Sequence, residues 1–201
     1  NKGCMTINKV CGSGLKSIMI AANSIKAGEH EIIVAGGMEN MAKAPYYLYK
    51  ARDGYRMGDG KIVDGMVYDG LWEVYNDFHM GITGERIAEH YDLTREEVDA
   101  FAVRSHRLAA AAAEGGKFAE EIVPIEIPQR RGDPVIFDSD EGIRADSSVE
   151  KLARLRAVFK NDGLVTAGNA SQISDGASAV VVTSREKAVE LGIPILAKIV
   201  D

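Results

Sequence analysis

Cys4-Met5-Thr6-Ile7-Asn8-Lys9-Val10 runs directly into Cys11-Gly12-Ser13-Gly14, and the reading of this junction decides the fold. The first seven residues are apolar and rich in β-branched side chains, as in a buried strand, and the glycines mark a tight turn. Leu15, Ile18, Met19, Ala22 and Ile25 then recur three or four residues apart, a spacing that predicts a helix with Gly28 as its C′ terminator. Glu31 to Ala35 is a second apolar run, ending in Gly36-Gly37. Strand, helix and strand within roughly 30 residues form a βαβ unit, so the two strands are expected to be parallel neighbours with a right-handed crossover.

Beyond Ala42 the texture changes. Residues 42–60 are polar, aromatic and glycine-rich without helical or strand period, which predicts an irregular excursion. Thr94-Arg95-Glu96-Glu97 has the capping-box form. Val98, Phe101, Ala102, Leu108, Ala109 and Ala112 then predict one apolar face on a long helix that Gly115-Gly116 ends. Ser147-Ser148-Val149-Glu150 offers a similar start for a short helix to about Leu155, and Ile122 to Ile127 reads as a short strand. Near the C-terminal end, Ala177 to Thr183 is strand-like, Arg185 to Leu191 is a helix capped by Thr183 or Ser184 and stopped by Gly192, and Ile195 to Val200 is again strand-like. The expected architecture is an α/β layered core, residues 1–41 and 174–201, interrupted by an inserted α+β lobe, residues 42–173.

With 201 residues, 46% hydrophobic and 27% charged, the chain is long and apolar enough to bury a core, which excludes a disordered segment or a disulfide miniprotein. A net charge of −6 without a long basic run argues against nucleic-acid and anionic-membrane partners. No stretch approaches the ~18 to 20 apolar residues of a membrane span and the first residues lack a signal-peptide pattern, so a cytoplasmic location is expected. Cys4 and Cys11 have unlike surroundings, which favours a reduced, catalytic thiol over a disulfide or a zinc site; no metal is expected.

Cys11 is the candidate nucleophile. It stands where a strand gives way to a helix, and the positive end of that helix favours a negatively charged sulfur there. Between Arg144 and Lys160 lie Arg144, Lys151, Arg154, Arg156 and Lys160 against Asp146 and Glu150, a local positive patch in an acidic chain that is suited to phosphates. His79 sits among Trp72, Tyr75 and Phe78, where a histidine is more often a satisfied, half-buried residue than a ligand contact. His30, His90 and His106 are assigned no chemistry.

The stretch Asn8 to Lys16 resembles the nucleophile motif of thiolases. The likeness continues in register through residues 34–41, Asp69-Gly70-Leu71, His79-Met80-Gly81 and Thr166-Ala167-Gly168-Asn169-Ala170-Ser171, and is greatest toward the short-chain acyl-CoA branch. The resemblance implies acyl transfer between CoA thioesters. Cys11 would attack a 3-ketoacyl or acetyl thioester, hold the acyl group, and pass it on, with its own backbone amide in an oxyanion hole. It also implies a CoA-holding insertion, with Leu71, His79 and Met80 near the pantetheine, Arg144 and Phe159 near the nucleotide, and Ala167, Ala170 and Ser171 along the pantetheine arm. CoA would be a substrate, with no tightly bound cofactor. A place in fatty acid metabolism and a homodimer or homotetramer, with Tyr46 to Tyr55 as a contact surface, belong to the same expectation.

Three further parts of the family's machinery have no counterpart in these residues: an Asn-Glu-Ala segment, a Gly-His-Pro loop and a second cysteine in a glycine-rich loop. The chain therefore reads as a central fragment without turnover of its own. Gly84 stands where alanine is usual, and Lys151 where some members carry a serine. The competing readings are a non-catalytic CoA-binding or scaffold protein of the same fold and another condensing enzyme of the superfamily; Cys-Gly-Ser-Gly in place of Cys-Ser-Ser speaks against the latter.

Overall fold

The computed structural model describes residues 3–200, which divide into two compact units: the chain up to Gly70 together with Ile173 onward, and Leu71–Gln172. Each is described by itself.

In the first unit, helix α1 (Ser13–Lys26) lies against a two-stranded ribbon of β1 (Ile32–Glu39) and β8 (Gly176–Thr183). Ala21, Ala35 and Val182 form the buried centre, with Ile18, Ile25 and Ile33 packed around it. Gly28, at φ 77°, ends α1 in the left-handed conformation that glycine adopts without a Cβ penalty. The helix approaches the strand very closely at its first turn: a Cβ on Gly37 would come within 3.2 Å of the Gly14 Cα. The Ser17 hydroxyl reinforces that contact by donating to the carbonyls of Gly14 (2.7 Å) and Gly36 (3.0 Å).

The expected parallel βαβ pairing is corrected here. β1 pairs antiparallel with β8, Ile32 opposite Thr183 and Glu39 opposite Gly176, while residues 4–8 form no strand. An apolar, β-branched run encodes an extended conformation but not which neighbour satisfies its amides. Ile195 to Val200 is not a strand for the same reason: no ladder partner lies beside it among the described residues. The excursion after β1 holds a 3-10 turn (Met41–Lys43), a short ladder of β2 (Tyr46–Tyr47) with β3 (Val63–Asp64), and a π-helical turn (Met66–Leu71). Helix α5 (Arg185–Glu190) is capped by Ser184, whose hydroxyl accepts from Lys187 N, and Gly192 at φ 66° follows it.

The second unit is built on α2 (Gly81–His90) and α3 (Arg95–Glu114). Before them comes a two-residue ladder of β4 (Trp72–Glu73) with β5 (Phe78–His79); after them come a hairpin of β6 (Ile125–Ile127) with β7 (Val135–Phe137) and the short helix α4 (Val149–Leu152). The capping box forms as expected, with Thr94 and Glu97 each accepting the other's backbone N–H. On α3, Val98, Ala102, Ala109 and Ala112 are half-buried as expected, but the most buried positions are not among those expected. Asp99 and Val103 are buried, while Phe101 and Leu108 are 69% and 58% exposed. The helix is turned so that a charged residue faces inward, which hydrophobic spacing does not signal. Helix α4 starts at Ser148 as expected but ends at Leu152.

Candidate active site

Cys11 lies at a backbone elbow rather than at the end of a buried strand, and it is exposed, as is Cys4. Val10, the residue before it, adopts φ 49°, a left-handed conformation that a β-branched residue reaches only with strain. Local bonds hold it there. Val10 N donates to Asn8 Oδ1 (2.8 Å), Ser13 Oγ donates to Val10 O (2.7 Å) and accepts from Lys9 N (2.8 Å), and Gly12 N donates to Lys9 O (3.0 Å). Gly12 is the N-cap of α1, so the Cys11 backbone comes immediately before a helix N-terminus whose first turn is anchored to β1 through Ser17.

The candidate CoA residues, all in the second unit apart from Cys11's, fall into two groups. Leu71, His79, Met80 and Phe159 form one. Met80 N donates to Leu71 O (2.7 Å), and the His79 ring stacks on Phe159 with centroids 4.7 Å apart and planes at 23°. Gly81 N donates to His79 Nδ1 (3.0 Å), so Nδ1 is the acceptor and a neutral ring carries its proton on Nε2. Gly81 is required here because a Cβ would collide with the Phe159 ring. Arg86 covers the Phe78 ring at 4.0 Å, and Lys160 is paired with Glu89 of α2.

Arg144, Ala167 and Ala170 belong to the second group. They line a cavity of about 470 Å³ with His106, Lys151, Leu152, Leu155, Gly168 and Gln172. Ser171 lies between two lining residues. Arg144 N donates to His106 Nδ1 (3.1 Å), so a histidine given no role from sequence helps to seat an arginine of the cavity. The positive patch is only partly available. Lys151 Nζ bonds the carboxylate and the carbonyl of Asp146 (2.7 Å each), which holds the Asp146 carboxyl below the usual range, and Lys160 is engaged by Glu89. Among the described residues Arg144 has no ion-pair partner. A second hollow of about 490 Å³ is floored by Phe118, Ile122 and Ile143 and rimmed by Glu114, Asp138 and Asp140, a lining that repels anions.

Two buried carboxylates that sequence reasoning did not single out hold this region together. Glu85, 3% exposed, accepts from Leu164 N (2.8 Å) and Val165 N (2.9 Å). Asp99, 1% exposed, accepts from Arg95 Nε (2.7 Å) and Asn169 Nδ2 (2.8 Å). The Arg95 to Asp99 spacing of four was the available signal. At Gly84 a Cβ would stand 2.9 Å from Val165, so the alanine usual at that position would crowd this packing.

In one unit an exposed cysteine precedes a helix N-terminus, the setting of a nucleophilic thiol, and in the other Arg144, Lys151 and Asp146 line a cavity. Comparison with known proteins identifies the family. Residues 2–186 match the thiolase N-terminal domain, and the chain belongs to the thiolase family. It is 57% identical over 195 residues to an acetyl-CoA acetyltransferase of Pseudomonas aeruginosa and 58% identical over 195 residues to one of Cupriavidus necator, each alignment covering 97% of this chain and 50% of the relative. The solved acetyl-CoA acetyltransferase of Syntrophomonas wolfei superposes with a TM-score of 0.87 at 43% identity, over 95% of this chain and 47% of that one. The chain thus spans about half the length of the curated relatives it matches. Among its described residues no helix is long and apolar enough to cross a membrane.

Proposed function

We propose that this chain carries the nucleophile and a CoA-holding surface of a thiolase of the acetyl-CoA acetyltransferase type. The Cys11 sulfur, as thiolate, attacks the carbonyl carbon of an acyl-CoA; a carbon–sulfur bond to Cys11 forms, the bond to the CoA sulfur breaks, and CoA leaves as its thiolate. One thioester replaces another, so little free energy is lost and the acyl group remains transferable. The backbone N–H of Cys11 serves the oxyanion. Leu71, His79 and Met80 contact the pantetheine, Ala167, Ala170 and Ser171 flank its arm, and Arg144 and Phe159 serve the nucleotide, with Arg144 supplying the charge for phosphate. The lobe of residues 42–173 is proposed as the insertion that holds CoA.

The observation that carries this reading is the exposed Cys11 on a strained elbow held by local hydrogen bonds, in a chain 57% identical to an acetyl-CoA acetyltransferase over 97% of its length. A cytoplasmic location, service in fatty acid metabolism and assembly as a homodimer or homotetramer through residues 46–55 are part of the proposal; the exposure of Tyr46 and Tyr49 supports the last. The chain alone is expected to accept an acyl group without turnover, because the family's base and second cysteine have no counterpart in it. Incubation with acetyl-CoA followed by peptide mapping tests the reading: one acetyl group on Cys11, absent in Cys11→Ala, is expected. CoA binding with no acyl group on Cys11 would favour the non-catalytic alternative.

A further inference from the structure

We propose that Asp99 and Asn169 are positioning residues for CoA, fixing the cavity wall from behind without touching the ligand; this deepens the reading above and rests on it. The cavity has two walls distant in sequence, Leu152 with Leu155 after α4 and the turn Ala167–Ala170. One polar chain centred on the buried Asp99 fastens both to α3. Arg95 Nη2 donates to the carbonyls of Leu152 (2.6 Å) and Leu155 (3.0 Å), and its Nε donates to Asp99. On its other oxygen Asp99 accepts from Asn169 Nδ2. The Asn169 amide also donates to Leu164 O (3.0 Å) and accepts from Thr166 N (2.8 Å), which fixes the turn whose next residue, Ala170, lines the cavity.

Among the described residues no buried side-chain polar atom lacks a partner. Neither Asp99 nor Asn169 lines the cavity. Their bonds therefore serve the geometry of the wall rather than the ligand directly, and a mismatch there displaces the wall while leaving its lining residues unchanged. Asp99→Asn confronts the Asn169 amide or the Arg95 guanidinium with a second donor, and Asn169→Asp confronts one carboxylate with another. The exchange of both restores a donor–acceptor pair between the two positions with its direction reversed, but it sets a carboxylate oxygen against Leu164 O and takes the charge partner from Arg95.

Calorimetric titration of CoA into the 201-residue chain, at a temperature where melting curves show each variant folded, tests this. Each single substitution is expected to weaken CoA binding by about tenfold, and the double exchange to recover part of the loss. A role confined to stability would lower the melting temperature and leave the Kd of the folded protein unchanged, which would overturn the inference. Should Asp99→Asn fail to fold, Asn169→Ser, which leaves the Arg95 pair intact, carries the same expectation and the same refutation. Failure of the unsubstituted chain to bind CoA would instead overturn the proposed function and the inference with it.

Discussion

Replacing Val10 by glycine and by alanine turns the elbow beneath Cys11 into a measurement. The φ of Val10 is 49°, and its backbone N–H and C=O are both hydrogen-bonded locally. Both substitutions keep those bonds and remove nearly the same side chain, itself 60% exposed, so the lost burial cancels in the comparison. What remains is the left-handed backbone, which costs an L-residue roughly 1–2 kcal/mol and glycine almost nothing. Glycine gives back about 0.5–1 kcal/mol through the greater freedom of its unfolded chain. The glycine variant should therefore be the more stable, by up to about 1.5 kcal/mol. At an ordinary extended or helical position the order is the reverse, alanine leading by about 0.5–1 kcal/mol. Urea unfolding at constant slope reads the difference as a shift in midpoint. An alanine variant more stable than the glycine variant by about 0.5–1 kcal/mol would show that the chain does not turn left-handed at Val10 and would rule out the elbow.

Glu85→Gln should cost about 2–3 kcal/mol in urea unfolding, because its buried oxygens serve two backbone N–H groups and an amide can serve only one; a loss below about 0.5 kcal/mol would mean those bonds do not form. Gly81→Ala should abolish the stacking of His79 on Phe159 and weaken CoA binding; unchanged chemical shifts of the His79 ring would contradict this. The Glu97 carboxyl is held below the usual range by bonds from the Thr94 backbone and side chain. A carboxyl depressed in the folded state contributes stability above its unfolded value, about 4.5, and loses it as pH falls through the lower folded value. Unfolding between pH 6 and pH 3 should therefore weaken more in the unsubstituted protein than in Glu97→Gln, and parallel curves would refute the capping box as the cause.

Features encoded by a few adjacent residues were legible in the sequence. The Thr94–Glu97 box, the Ser148 and Ser184 caps and the glycines after α1 and α5 act within one turn of chain, and each appears where its residues stand. Partner choice was not legible. β1 and β8 are recognisable strands, but their antiparallel pairing joins residues 32–39 to 176–183, a contact that no local pattern records. The inward turn of Asp99 was hidden because charge ordinarily marks a solvent face, and its burial is tolerable because both Arg95 and the distant Asn169 bond it. At the site, Cys11 and the basic residues near Arg144 could be singled out from chemistry and context. The stacking of His79 on Phe159 could not, since it joins residues far apart in the chain.

The central claim is that the elbow and the helix after it, rather than mere exposure, make Cys11 the reactive sulfur. Cys4 is an internal control, a second exposed thiol in the same chain. Peptide mapping after brief, limiting iodoacetamide measures the two alkylation rates side by side, first in buffer and then in urea. The account predicts Cys11 to react about tenfold faster in the folded chain and the two rates to converge on unfolding. Equal rates in the folded chain, or a preference for Cys11 that survives in urea, would contradict it.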